Sequence, residues 1–183
     1  ISFAEKTDMR KKLLITELGR CSTEEFKAKK KRAFTVVLDN VRSKHNVGSA
    51  FRTSDAFAIE HMALCGITST PPDPEIHKTA LGAEDSMSWS YSEDTLSYVR
   101  QLKSEGYLLI AVEQTHHSTK LPDFHPEASQ KYAFIFGNEV KGVQQAVVDL
   151  CDLSLEIPQE GTKHSLNVSV SIGVVLWHAV NTR

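Results

Sequence analysis

The chain has 183 residues, of which 40% are hydrophobic and 24% are charged, and its formal net charge is −2 at pH 7. This length corresponds to about one domain, and the apolar content is sufficient for a buried core, which excludes a disordered chain. Because the sequence has no run of about 18 apolar residues and no signal-peptide pattern, we expect a cytoplasmic protein without a membrane segment.

The N-terminal residues 1–32 differ in composition from the rest and are predicted to form a helical extension. A short amphipathic pattern at Leu13, Leu14 and Leu18 is followed by Gly19, a common helix terminator. The sequence Ser-x-x-Glu that begins at Ser22 is a capping box and predicts the start of a second helix.

The extension is also basic, since five of the six residues 27–32 are cations and Arg10–Lys12 lies upstream. Such a cluster forms either a solvated helix face or a contact for nucleic-acid phosphates. The candidate phosphate contacts of the cluster are Lys29, Lys30, Lys31 and Arg32.

From residue 33 to residue 183, short apolar runs alternate with helical patterns. Strands are predicted at 34–38, 61–65, 86–91, 107–112, 131–136 and 153–157. Helices are predicted from Asn46, which is placed as the N-cap, at 96–105, 143–150 and 165–180, and the prolines at 71–74 predict a loop. Buried strands that alternate with helices indicate an α/β fold with a mostly parallel sheet and helices on both faces.

Three junctions at predicted strand ends are rich in glycine and polar residues: 40–52, 134–142 and 157–171. Ligands of parallel α/β sheets bind beyond the carboxyl ends of the strands, so these junctions predict one composite site. Neither G-x-G-x-x-G nor G-x-x-x-x-G-K-[ST] occurs, which disfavours Rossmann dehydrogenases, Rossmann methyltransferases and P-loop enzymes.

A metal site is not expected. The histidines His116 and His117 are neighbours, and neighbouring side chains point apart in an extended chain. No carboxylate or cysteine completes a ligand set with them and His125. The three cysteines share no metal-ligand spacing and are too far apart and odd in number for a disulfide framework.

The junctions contain three motifs in a recognisable order. They are N-x-G-x-x-x-R at Asn46–Arg52, F-G-N-E at Phe136–Glu139, and S-L-N-V-S-V at Ser165–Val170, with I-P-x-x-G just before the third. In these motifs the chain resembles the SpoU-type RNA ribose 2′-O-methyltransferases of the SPOUT superfamily, over roughly residue 34 to the C-terminus.

The resemblance implies a deep trefoil knot at the C-terminus, S-adenosylmethionine as cofactor, and a homodimer whose active sites are completed at the subunit interface. It further implies three groups of site residues in this chain. The catalytic group is Arg52, Asn46, Glu139, Ser165 and Asn167. The cofactor-binding group is Thr115, Gly137, Ile157 and Leu166, and the RNA-binding group near the first motif is Arg42, Lys44 and His45.

Individual roles follow from chemistry and from the family. Guanidinium is always protonated, so we expect Arg52 to hold the phosphate beside the target ribose and to stabilise a developing alkoxide. A surface cation is the alternative at that position. Glu139 is expected at a helix N-terminus, where the helix dipole favours a carboxylate. Gly137 is expected to let the cofactor lie against the main chain, and Gln159 stands where many relatives have methionine.

The sequence therefore predicts an S-adenosylmethionine-dependent enzyme that methylates a ribose 2′-hydroxyl in structured RNA. The short basic extension resembles that of compact tRNA-modifying members, which favours tRNA over rRNA. Two alternatives remain: a non-catalytic RNA-binding relative, and a base methyltransferase of the same superfamily.

Overall fold

The computed structural model describes residues 11–19 and 21–182, and in that part of the chain seven strands form one parallel sheet. The strands are β1 (Arg32–Asp39), β2 (Ile59–Cys65), β3 (Trp89–Ser92), β4 (Tyr107–Val112), β5 (Thr119–Lys120), β6 (Lys131–Phe136) and β7 (Leu153–Glu156). Their spatial order is β3-β2-β1-β6-β4-β7-β5, and every pairing is parallel.

Helices cover both faces of this sheet. They are α1 (Thr23–Ala28), α2 (Lys44–Ala56), α3 (Pro74–Ala80), α4 (Ala83–Ser86), α5 (Thr95–Ser104), α6 (Gln145–Leu150) and α7 (Val168–Asn181), with 3-10 turns at Ile15–Glu17 and Leu121–Asp123. Along β1, Val36 and Leu38 enter one core and Val37 enters the other, and all three are fully buried. Because both faces of these strands are buried, their sequences are continuous apolar runs.

The predicted fold class is confirmed, and five of the six strand predictions are close to the observed bounds. The strand predicted at 86–91 is wrong at its start, because Ser86 ends α4 and the strand begins at Trp89. The loop predicted at 71–74 continues into α3, where Asp73 caps the helix and Pro74 occupies its first turn. An Asp-Pro pair is a usual helix start, so the sequence carried this signal. The trefoil knot stays a prediction from the family resemblance.

The N-terminal part agrees with prediction at the capping box. Ser22 and Glu25 each accept a hydrogen bond from the other's backbone amide, at 3.2 and 2.7 Å. The pattern before Gly19 gives a 3-10 turn instead of an α-helix, and Arg10 lies outside the described residues. Phe26 of α1 is buried in the core, and Arg32 already belongs to β1. The division into residues 1–32 and 33–183 stays a prediction.

No helix in the described ranges has the length and apolar character that a bilayer crossing would require.

Candidate active site

A groove of about 640 Å³ opens at the carboxyl ends of β4, β6 and β7. Four segments line it, and each follows a strand or precedes α7. They are residues 112–115, 136–143, 155–159 and 165–168, with single contributions from Gln145, Val148 and Ser171. Two of the three predicted junctions therefore meet at one place, and Thr115 joins them from the end of β4.

The first junction reaches the groove through a chain of side-chain hydrogen bonds. The Asn46 carboxamide donates to the Glu139 carboxylate at 3.1 Å and accepts from Asn167 Nδ2 at 3.2 Å. Asn46 is 9% exposed, whereas Glu139 and Asn167 line the open groove. One buried amide thus joins residues that are 93 and 121 positions away in the chain.

The prediction that Asn46 caps its helix is wrong. Ser43 is the N-cap of α2, and its hydroxyl accepts the backbone amide of Asn46 at 3.3 Å. Because Ser43 satisfies this amide, the Asn46 side chain is available for Glu139 and Asn167. The helix begins three residues earlier than predicted, and Asn46 becomes a bridging residue instead of the capping residue.

Glu139 does not begin a helix, contrary to the prediction. It lies in the tight loop between β6 and α6, and its carboxylate accepts the backbone amides of Arg42 and Ser43, at 3.0 and 2.8 Å. These amides belong to the start of α2, so the carboxylate lies at the N-terminus of a helix remote in sequence. Burial would raise the pKa of Glu139, but the hydrogen bonds from Arg42, Ser43 and Asn46 outweigh burial and lower it. Glu139 is therefore ionised at neutral pH and is a weak base.

The helix of the third motif begins later than predicted. α7 starts at Val168, and Asn167 is its N-cap, accepting the backbone amide of Ser169 at 2.8 Å and its hydroxyl at 2.6 Å. Asn167 thus caps α7 with its oxygen and binds Asn46 with its nitrogen. Ser165 is exposed at the rim of the groove.

All four predicted cofactor-binding residues line the groove: Thr115, Gly137, Ile157 and Leu166. The structure also gives Gly137 a role within the fold. A Cβ at Gly137 would collide with the backbone of Gly142 and Val143, so the glycine is required by the chain's own tight loop. Gln159 lines the groove as well. Its side chain makes no hydrogen bond to the described residues.

Arg52 does not line this groove. It is exposed on α2 beside a shallow apolar depression whose other residues are Thr53, Ala56, Phe57, Gly173, Val174 and Trp177. Its guanidinium makes no hydrogen bond or ion pair within residues 11–19 and 21–182. Arg52 is therefore absent from the lining of the groove to which Glu139, Ser165 and Asn167 contribute.

The predicted RNA contacts fall into two groups. Lys44 binds Asp73 at 2.7 Å and His45 binds Glu75 at 2.6 Å, so both side chains join the starts of α2 and α3. Arg42 is exposed, and its side chain has no hydrogen-bonding partner among the described residues.

In the basic cluster, Lys29, Lys30 and Arg32 are exposed. The Lys31 ammonium lies over the Phe26 ring, 4.4 Å from its centroid, which ties one cation of the cluster to the fold.

Two carboxylates near the site were not predicted from the sequence. Glu113 lines the groove and accepts the backbone amides of Gln114 and Val143, at 3.0 and 3.1 Å. Asp39 is fully buried at the end of β1. Both positions could have been found from the sequence, because each is a charged residue at the end of an apolar strand. In the described part of the chain, no three His, Cys, Asp or Glu side chains are grouped as a metal-ion ligand set.

Comparisons with known proteins agree with this geometry. The model of the SpoU rRNA Methylase family matches residues 33–177, so the chain belongs to this family. The 23S rRNA (guanosine-2′-O-)-methyltransferase RlmB of Nitrosomonas europaea is 29% identical over 167 residues, covering 89% of this chain and 62% of the relative. The protein of the same name from Neisseria meningitidis is also 29% identical, over 77% of this chain and 55% of the relative. The chain thus spans less than two thirds of the length of these relatives.

Solved structures share the fold. The A. aeolicus TrmH/SpoU tRNA modifying enzyme superimposes with a TM-score of 0.77 at 22% identity, over 88% of this chain and 82% of that one. The AdoMet-bound rRNA methyltransferase from Sinorhizobium meliloti gives a TM-score of 0.75 at 23% identity, over 84% and 58%.

Proposed function

We propose that this chain transfers a methyl group from S-adenosylmethionine to a ribose 2′-hydroxyl of ribosomal RNA. The observation that carries the proposal is the bridge Glu139–Asn46–Asn167, which brings all three motifs of the family to the edge of one groove. The relatives described above are named 23S rRNA (guanosine-2′-O-)-methyltransferases, which supports ribose chemistry on rRNA. The expected preference for tRNA finds no support in those names.

The groove fits a nucleoside cofactor. Its volume lies in the usual range for small-molecule sites, and it combines apolar walls from Val112, Leu155 and Ile157 with polar groups at the rim. Ile157, Leu166 and Gly137 would hold the nucleoside, and Thr115 would lie beside it. The bound cofactor supplies a methyl group already activated by the positive sulfonium.

The chain's own residues must then orient the ribose and stabilise the charge that develops on its oxygen. Glu139 has a lowered pKa and is held by the start of α2, so its role is to fix α2 and Asn46 against the groove, not to remove the proton. Asn167 and Ser165 are placed to bind the ribose. Arg52 is proposed to bind the adjacent phosphate and to stabilise the alkoxide.

We propose that Arg52 serves this role by reaching the groove of another chain. The apolar depression beside Arg52 includes Val174 and Trp177 of α7, which are 37% and 60% exposed, whereas the opposite face of α7 is buried in the core. An exposed apolar helix face of this kind favours association. We therefore propose a homodimer in which α7 packs against the partner and Arg52 reaches the partner's groove.

Calorimetry with S-adenosylmethionine, followed by transfer of a tritiated methyl group, tests the activity. Methylation of a 23S rRNA transcript with little methylation of total tRNA is expected, and nuclease digestion with mass spectrometry should locate the methyl group on ribose. Cofactor binding without transfer would instead identify a non-catalytic relative, and a methylated base would identify a base methyltransferase. Absence of cofactor binding would refute the proposal altogether.

The role of Arg52 is tested by Arg52→Ala, with Arg100→Ala as the matched control because Arg100 is an exposed arginine on α5. Arg52→Ala should abolish turnover with little change in cofactor affinity, and Arg100→Ala should leave both unchanged. Normal turnover in Arg52→Ala would remove this residue from the mechanism.

Mixing two inactive variants tests whether Arg52 acts across the dimer. Subunits carrying Arg52→Ala or Glu139→Gln, mixed under exchange, should recover about a quarter of wild-type activity, because half of the dimers are mixed and each has one intact site. No recovery is expected if Arg52 acts within its own chain.

A further inference from the structure

Asp39 is a buried carboxylate without a cationic partner among the described residues. It is fully buried at the carboxyl end of β1. Its oxygens accept four hydrogen bonds, all from neutral donors: Asn40 Nδ2 at 2.8 Å, Thr95 Oγ1 at 2.7 Å, the Gln144 backbone amide at 2.8 Å and Gln144 Nε2 at 2.7 Å. A buried charge is costly unless such donors compensate it, so the position is specific for a small carboxylate.

These donors connect Asp39 to both ends of the loop that carries Glu139. Gln144 ends the loop and is the N-cap of α6. At the beginning of the loop, Asn138 Nδ2 donates to the backbone oxygen of Asn40 at 2.8 Å, and Asn40 is itself held by Asp39. Asn40 has a φ of 57°, in the left-handed region that asparagine adopts more readily than most residues.

The loop between these ends is short and closed. Asn138 and Gly142 exchange two backbone hydrogen bonds, at 3.0 and 2.9 Å, and the Asn138 side-chain oxygen accepts the amides of Val140 and Lys141. Such a loop moves as a unit, so its anchors determine where Glu139 lies. Glu113 is a second anchor, through the Val143 amide.

We infer that Asp39 is a positioning residue for the methyl-transfer reaction: it fixes the Glu139 loop at both ends and so sets the contacts of Glu139 with Arg42, Ser43 and Asn46. Asp39 touches neither the groove nor the bridge Glu139–Asn46–Asn167, and it acts through Gln144 and Asn40. The turnover part of the inference rests on the proposed function, whereas the loop geometry can be tested without activity.

The test compares Asp39→Asn with wild type in the full chain. The asparagine keeps the shape but turns one acceptor into a donor that faces the Gln144 amide groups. We expect turnover at saturating substrates to fall about tenfold or more, with cofactor affinity within about threefold of wild type. The amides of Arg42 and Ser43, which donate to Glu139, should exchange with solvent about tenfold faster in NMR measurements, while the amides of β1 and β6 stay protected.

The double variant Asp39→Asn with Gln144→Glu restores a complementary pair, because the new carboxylate can accept from the asparagine. It should recover part of the turnover and of the amide protection. If Asp39→Asn does not fold, Gln144→Ala replaces it. Gln144 is exposed, and its truncation removes one donor from Asp39. We therefore expect turnover to fall, and exchange of the Arg42 and Ser43 amides to rise, by about threefold.

Asp152→Asn is the control. Asp152 also accepts a backbone amide, from Leu109 at 2.8 Å, but lies before β7, at the amino end of that strand. It should lower thermal stability without changing turnover or the exchange of the Arg42 and Ser43 amides. Wild-type exchange at those two amides in a folded Asp39→Asn or Gln144→Ala variant would overturn the inference, whatever the activity. If no methyl transfer is found but exchange rises as expected, the proposed function fails and the anchoring stands.

Discussion

Gly48 allows α2 and α3 to pack closely, and replacing it by alanine is a sensitive test of this packing. Gly48 is fully enclosed within α2, two residues after Asn46. A Cβ at this position would collide with Thr79 Oγ1 and with the backbone oxygen of Ile76, and would approach the Ala80 amide nitrogen to 3.0 Å. Two of these atoms are α3 backbone, so relief requires the helices to move apart.

Two effects oppose each other in Gly48→Ala. Alanine is the better helix former by about 1 kcal/mol, which alone would stabilise the variant. Overpacking costs about 1–3 kcal/mol when side chains can adjust, and more when they cannot. Because the colliding atoms of α3 include backbone, we expect the clash to outweigh helix propensity and to lower the free energy of unfolding by about 2 kcal/mol. For a chain of this size, that corresponds to a fall in Tm of about 4–8 °C.

Thermal and urea unfolding followed by circular dichroism, at one fixed protein concentration, will measure the change. Ser49→Ala, on the same helix, controls for helix propensity and should leave the free energy of unfolding unchanged or slightly raised. We also expect turnover to fall in Gly48→Ala, since movement of α2 displaces Asn46. A Gly48→Ala protein as stable as Ser49→Ala would refute the argument for close packing.

Two further predictions concern Glu139 and Trp177. Since the pKa of Glu139 is lowered in the folded state, its contribution to stability is present above its unfolded pKa of about 4.3 and is lost as pH falls through the folded value. Urea unfolding should therefore show a steeper loss of stability below about pH 4.5 for wild type than for Glu139→Gln, and parallel curves would contradict this. Trp177→Lys should shift the sedimentation of the proposed dimer to that of a monomer and abolish turnover, with cofactor affinity less affected. Tyr91→Lys, at an exposed aromatic residue of β3, should do neither.

The local elements were predictable where a short-range signal existed. The apolar runs of β1, β4 and β6 and the capping box at Ser22 depend on neighbouring residues alone, and the structure has them close to the predicted places. Helix starts were less predictable, since several residues near each start can cap. Ser43 and Asn46 are both good capping residues. Only the structure shows that Ser43 caps α2 and that the Asn46 side chain binds Glu139 instead.

The buried face of α7 illustrates a different limit. Its sequence is apolar almost throughout, and no periodicity separates Ile172 and Leu176, which enter the core, from Val174 and Trp177, which are exposed. An apolar residue is compatible with either environment. Which side of α7 meets the sheet depends on where the preceding segment brings the helix.

The sequence by itself determined the parallel α/β class, the family, and the three motifs that carry the predicted catalytic residues, because each depends on residue types at short spacing. Only the tertiary structure decided that Asn46 links Glu139 to Asn167, that Arg52 lies beside a separate apolar depression, and that Asp39 anchors a loop about 100 residues further along the chain. The physical reason is that such contacts join residues whose proximity arises from the order of the strands in the sheet, and strand order leaves no trace in local sequence.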